Sequence, residues 1–233
     1  MRLLYCADLH GNPLFWRRLF SLAAEEKAGA VIIGGDLLPK TGEVTSLIGE
    51  QRRFITGGLH PLLASFRDRN PGVEVFAMMG NDDFAVNMDL LEGMEKEGLL
   101  RLLHMKVHAL AEGLSIAGYG CVRPTPFSCK DWERFDDVQR ILQSGPYRSC
   151  ISTPEGLADV DQEEFFASHT MISDDLEELS GMSDPRGTVY VIHDPPFGTD
   201  LDVLYSREHI GSMAVRRFIE RHQPPLVLSG HIH

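Results

Sequence analysis

Leu3-Leu4-Tyr5-Cys6-Ala7-Asp8-Leu9-His10-Gly11-Asn12-Pro13 begins with five residues suited to a protein interior and then breaks into a polar turn. A short apolar run bounded by turn residues reads as a buried strand, and Pro13 stands where a helix can begin. Leu14, Trp16, Leu19, Phe20, Leu22 and Ala23 then recur at roughly helical spacing as far as Lys27. The unit repeats twice. Ala30-Val31-Ile32-Ile33 runs into Gly34-Gly35-Asp36-Leu37, and Val73-Glu74-Val75-Phe76-Ala77-Met78-Met79 runs into Gly80-Asn81-Asp82-Asp83. Between them, Thr41 to about Arg69 is mostly helical in pattern, with a break expected at Gly57-Gly58 and Pro61. Met88 to Glu97 has the pattern of the next helix. Strands alternating with helices predict an α/β fold with parallel pairing, in which ligands gather at the C-terminal ends of the strands. Asp8, His10, Asp36 and Asn81 are therefore expected on one edge of one sheet.

The middle of the chain is less regular. Met105 to Leu110 and Leu114 to Ala117 read as short strands, Arg123 to Phe127 as a loop, and Asp131 to Leu142 and Val160 to Leu179 as helical. The acidic run in the last of these reads as a solvated face. Order returns at Thr188-Val189-Tyr190-Val191-Ile192, which leads into His193-Asp194-Pro195-Pro196. Glu208 to Arg221 is helical in pattern, and Leu226-Val227-Leu228 is a final strand before Ser229-Gly230-His231-Ile232-His233. No repeat or linker interrupts residues 1–233, so one domain is expected.

Composition narrows the class. With 34 acidic against 22 basic residues, the formal net charge is −12. Such a surface repels polyanions, which disfavours long nucleic acid as a partner unless bound metal locally reverses the sign. Cys6, Cys121, Cys129 and Cys150 show no Cys-x-x-Cys spacing, and reduced thiols in a cytoplasmic protein are expected. No apolar run approaches the ~18 residues of a membrane helix, so no membrane partner is expected. A small substrate is the expected partner, and nothing in the composition opposes a homo-oligomer.

The strand ends carry Asp8, His10, Asp36, Asn81, His193, His231 and His233. Carboxylate, imidazole and amide oxygen suit divalent Mn, Fe, Zn, Co or Ni. Seven such groups exceed what one ion takes, whereas two ions sharing a carboxylate fit the count. Asp8-Leu9-His10, Gly35-Asp36, Gly80-Asn81-Asp82, His193 and Gly230-His231-Ile232-His233, in that order, resemble the signature of the calcineurin-like metallophosphoesterase superfamily. Five short motifs in order are specific where each alone is weak. The run His193-Asp194-Pro195-Pro196 with Gly198-Thr199 is similar to small stand-alone prokaryotic members.

That resemblance implies a four-layer α/β/β/α sandwich of two mixed sheets, with the metal site at the strand C-terminal ends. It implies one ion on Asp8, His10 and His233, another on Asn81, His193 and His231, and Asp36 between them, with manganese the favoured metal. A metal-bound hydroxide would attack phosphorus, making the protein a phosphoester hydrolase. Asp82, His193 and His10 are the residues expected to bear on catalysis. The resemblance also implies further strands after the last motif, hence a C-terminal extension beyond His233.

One position departs from the pattern. The family's substrate-facing histidine is Asp82 here, and an ionised aspartate repels a phosphate dianion. Three outcomes are expected to compete: Asp82 turns away, acts as an acid with a raised pKa, or biases the enzyme toward diesters over monoesters. Two rival functions share the same residues, a degenerate metal-binding scaffold or regulatory protein without turnover and a metal-dependent hydrolase of non-phosphate substrates. Asp83 and Asp194 read as supporting residues beside ligands. Arg123 is a candidate phosphate contact, and His60 and His209 are candidate stand-in acids.

Overall fold

The computed structural model describes residues 1–40, 44–137, 141–142 and 148–232. Strand β1 (Leu3–Cys6) leads to helix α1 (Pro13–Glu25), then to β2 (Ala30–Gly34). Asn12 caps α1 by accepting from the backbone N–H groups of Leu14 and Phe15, and Pro13 occupies its first turn. Trp16, Leu19, Phe20 and Ala23 form its buried stripe at the spacing of one helical face. Helices α2 (Val44–Phe54) and α3 (His60–Arg69) follow, joined through a π-helical turn over Ile55–Leu59. The glycine pair and Pro61 predict a break in this stretch. Instead one turn widens, with His60 N–H donating to the Ile55 carbonyl five residues back, and the helix runs on through the proline.

Strand β3 (Glu74–Met78), helix α4 (Met88–Lys96) and the short β4 (Arg101–Leu102) complete the first sheet, whose order is β1-β2-β3-β4. All three pairings are parallel, so this sheet is not mixed as the resemblance implied. Its strands follow one another across the sheet in chain order. Right-handed crossovers in one direction put every connecting helix on the same face. The packing agrees: Val31, Ile33, Val75 and Ala77 join Trp16, Phe20, Leu63 and Phe66 under the helices. The other face of these strands is left for a different partner.

That partner is the second sheet, ordered β10-β9-β6-β5. Strands β5 (Lys106–Ala111) and β6 (Leu114–Tyr119) form an antiparallel hairpin. Strands β9 (Thr188–Ile192) and β10 (Leu226–Leu228) extend it in parallel, so this sheet is mixed. Ala30, Ile32, Phe76 and Met78 of the first sheet pack with Ile116 and Val191 of the second in one buried cluster.

The remaining elements include the hairpin β7 (Cys150–Thr153) and β8 (Gly156–Asp159), which sequence patterning missed. Helices α5 (Gln162–Ala167) and α6 (Ile172–Ser180) replace the single run expected from Val160 to Leu179. The interruption has a cause: Ile172 N–H donates to the Phe135 carbonyl and Ser173 N–H to that of Asp136. No helix forms over residues 131–137. The Lys130 and Arg134 N–H groups go instead to the carbonyls of Cys150 and Val122, and Glu133 is drawn inward to the buried Lys130 ammonium. Helix α7 (Met213–His222) starts later than Glu208, because Ile210 and Gly211 N–H bond Asp202 and Ser212 caps the helix. Among the described residues, no helix is long and apolar enough to cross a membrane.

Candidate metal centre

The loops after β1 and β2 are zipped together beyond the ends of their strands. Asp8 N–H donates to the Gly35 carbonyl at 3.1 Å, His10 N–H to Asp36 at 2.9 Å, and Gly11 N–H to Leu37 at 2.9 Å. This brings ligand-type atoms of Asp8, His10 and Asp36 within 4.8 Å of one another. The backbone bends sharply to do so. Asp8, His10, Asp36 and His231 have φ of +57°, +44°, +53° and +70°, so four of the eight non-glycine residues with positive φ among the described residues lie in this one cluster. Left-handed backbone costs an L-residue about 1–2 kcal/mol, and its concentration here marks a site whose function requires it.

The second sheet supplies the opposite wall. His193, fully buried at the end of β9, donates Nδ1–H to the Gly34 carbonyl at 2.7 Å. A carbonyl can only accept, so that bond places a proton on Nδ1 and turns Nε2 toward Asp36 Oδ1, 3.4 Å away. The His231 ring lies 5.4 Å from that of His193, and His231 N–H reaches both Asp8 carboxylate oxygens at 3.1 Å. Asn81, 4% exposed, follows β3, and the next residue's N–H bonds Asp36 Oδ1 at 2.9 Å. Six of the seven sequence-predicted ligands, Asp8, His10, Asp36, Asn81, His193 and His231, are thus gathered, and His233 lies outside the described residues.

Electrostatics follow from this crowding. Burial alone would raise the Asp36 pKa, but His193, the Asp82 N–H and His231 together hold it well below the usual carboxylate range. Burial would depress His193, yet the Asp36 carboxylate, with help from Asp8, lifts it to about 9. Without metal, a proton on Nε2 supplies the positive charge that this pocket of carboxylates calls for.

The donor set also fits a metal on steric grounds. Among the described residues, the buried Asn81 Oδ1 lacks a hydrogen-bond partner, which is costly unless something else binds there. At Gly80 a Cβ would sit 2.4 Å from Asp36 Oδ1 and 2.6 Å from His193 Nε2, so only glycine leaves the space between them. Oxygen and imidazole donors suit divalent first-row ions.

The sequence profile of the calcineurin-like phosphoesterases matches residues 1–233. The chain belongs to that family. Its chemistry is metal-dependent hydrolysis of phosphoesters, and divalent ions are its usual cofactors. One crystal structure superimposes with a TM-score of 0.61 at 16% identity, over 99% of this chain and 83% of its own. The crystal structure of TT1561 of Thermus thermophilus does so with 0.57 at 17%, over 97% and 80%. At such identities both speak for the fold alone. No curated protein matches the sequence.

Other residues of this family member support the candidate centre. Asp83 is fully buried and accepts N–H groups from Gly80, Leu37 and Leu38, tying the loop after β3 to the loop after β2. Asp194 holds Arg123 through its N–H and Nε, at 2.9 and 3.0 Å, so the candidate phosphate contact is anchored to the residue after His193. His60 pairs with Glu97 at 2.7 Å and His209 with Asp202 at 2.8 Å.

Asp82 does not turn away. Its Oδ2 lies 3.7 Å from His10 Nδ1 and 3.3 Å from Lys40 Nζ. Burial and the neighbouring Asp36 raise its pKa to about 6, against the opposing pull of Lys40. Sequence reasoning misses Lys40, since a lysine four residues past Gly35-Asp36 carries no periodic or motif signal.

Proposed function

We propose that this protein is a dinuclear metal-dependent phosphoesterase acting on a small phosphoester, with diesters favoured over monoesters. Asp8, His10 and His233 would hold one ion and Asn81, His193 and His231 the other, with Asp36 available to both and manganese the preferred metal. The observation that carries this reading is the position of Asp36, within ligand distance of Asp8 and His10 on one side and 3.4 Å from His193 Nε2 on the other.

When bound, the ions would lower the pKa of coordinated water and neutralise phosphoryl charge. The chain's own residues do the rest. The Gly34 carbonyl fixes the His193 ring so that Nε2 faces Asp36. His231 N–H orients Asp8 by its two contacts. Asp82 lies beside His10 at the position where the family pattern places a substrate-facing group. Three carboxylates, Asp8, Asp36 and Asp82, disfavour a dianionic monoester more than a monoanionic diester.

The test is turnover of aryl phosphodiesters and monoesters by protein loaded with manganese, with metal counted by atomic emission. Two ions per chain, faster diester turnover, and a loss of more than about a hundredfold in Asp36→Asn are expected. A single ion per chain would refute the dinuclear reading. Metal-loaded protein inert toward a broad panel would instead favour the scaffold without turnover.

A further inference from the structure

Asp82 occupies the place where an imidazole would meet the substrate, and a bare aspartate there repels phosphate. A cation is set directly against it. Lys40 Nζ lies 3.3 Å from Asp82 Oδ2, the same oxygen that lies 3.7 Å from His10 Nδ1. An exposed lysine–aspartate pair is ordinarily worth little. This one differs in how both partners are held. The fully buried Gln51 side-chain amide donates to the Pro39 carbonyl at 3.1 Å and the Asp82 carbonyl at 2.8 Å, so one group pins the backbone on both sides of the pair. Leu38 N–H is fastened to Asp83 Oδ1 at 2.8 Å, which ties the approach to Lys40 to the residue after Asp82. The lysine side chain is 39% exposed and that of Asp82 21%, so the ammonium stays open to an incoming ligand while its partner is mostly enclosed.

We propose that Lys40 is a substrate-binding residue that donates to a non-bridging phosphoryl oxygen, and that Asp82 positions it. The inference rests on the phosphoesterase reading above. An ammonium carries three donors and needs only one for Asp82, which leaves others for the anion. The pair lessens the repulsion that a lone carboxylate would exert, without cancelling the negative field of the Asp8, Asp36 and Asp82 carboxylates, and it places the more exposed, positive partner toward solvent. Positive charge is thereby restored beside His10 by a residue from a different strand end, although the residue after Asn81 is acidic.

The experiment uses the manganese-loaded full chain and inorganic phosphate as probe, with calorimetric affinity and competitive inhibition as readouts beside turnover of an aryl phosphodiester. Lys40→Met is expected to weaken phosphate binding and raise KM about tenfold or more, the scale of one lost charge-assisted hydrogen bond, with metal content and melting temperature unchanged. Lys40→Arg should restore most of the loss. Asp82→Ala should weaken phosphate binding in the parent chain but add little to Lys40→Met, because a positioning residue has nothing left to position. Phosphate affinity within twofold of the parent in Lys40→Met overturns the proposal while leaving the phosphoesterase reading intact. Loss of metal from that variant also overturns it, by making the lysine part of the metal architecture. A parent chain that neither binds phosphate nor turns over any phosphoester overturns both.

Discussion

Gly80 lacks a side chain because the space where one would stand lies between Asp36 Oδ1 and His193 Nε2. Its φ is not in the left-handed region, so the constraint is volume alone. Gly80→Ala is therefore expected to push those two atoms apart and cut turnover by about a hundredfold, the usual penalty for an ångström of misplacement at a reacting centre. Metal uptake measured by atomic emission should fall with it, while the cost to folding stays within the ~1–3 kcal/mol of an overpacked site. A variant that keeps full metal and activity would show the ligands are free to move. At this scale much was legible in the sequence, because each candidate ligand follows an apolar strand and a polar residue there has few structural duties. What stayed hidden was relational: Lys40, the Gly34 carbonyl that orients His193, and the Gln51 amide beneath Asp82 acquire meaning only from atoms distant in sequence.

Elements around the centre are fastened by carboxylates rather than by long helices. Asp136 accepts from the Ser212 hydroxyl and, at 2.9 Å, from Met213 N–H, joining an irregular stretch to the start of α7. Its negative charge also sits where the helix dipole is positive. Asp136→Ala should destabilise the fold by about 1–3 kcal/mol, since it orphans helix N–H groups, and Asp136→Asn by less. Denaturant titration of the three proteins checks this, and equal midpoints would remove Asp136 from the cap. The same interactions explain where periodicity failed. The patterns over 131–142 and 160–179 read as helices, but within the described residues 131–137 and 160–179 the Arg134, Ile172 and Ser173 N–H groups find partners across the chain, at Val122, Phe135 and Asp136, and residues 138–140 lie outside the described ones. Strands β1, β2, β3 and β9, whose hydrogen bonding and burial agree with their local pattern, were readable. The short hairpin β7–β8, only half-buried, was not.

For the molecule as a whole, acid should be the weak side. His104 is packed with its Nδ1 accepting Gly120 N–H at 3.0 Å and its ring against Tyr119 and Trp132. Burial, with Arg134 adding to it, pushes the pKa down to about 4, against the opposing effect of Asp175. The unfolded chain, with a histidine pKa of about 6.5, binds the proton first. The stability that His104 contributes is thus fully present above pH ~6.5 and is lost as pH falls toward about 4, by at most ~3 kcal/mol. Thermal melts between about pH 4 and about pH 7.5 should fall less steeply in His104→Asn, whose amide oxygen can still accept from Gly120. Identical slopes would mean that other groups govern acid unfolding. The contact between Gly34 and His193 spans 159 residues and that between Asp8 and His231 spans 223. Both contacts join segments far apart in sequence, so they are expected to form late in folding and to break early in unfolding. An ion gripped by Asp36 and His193 would act as a rivet between separately built halves. Metal should therefore slow unfolding more than it hastens folding, and lifetime in a protease should lengthen with metal concentration.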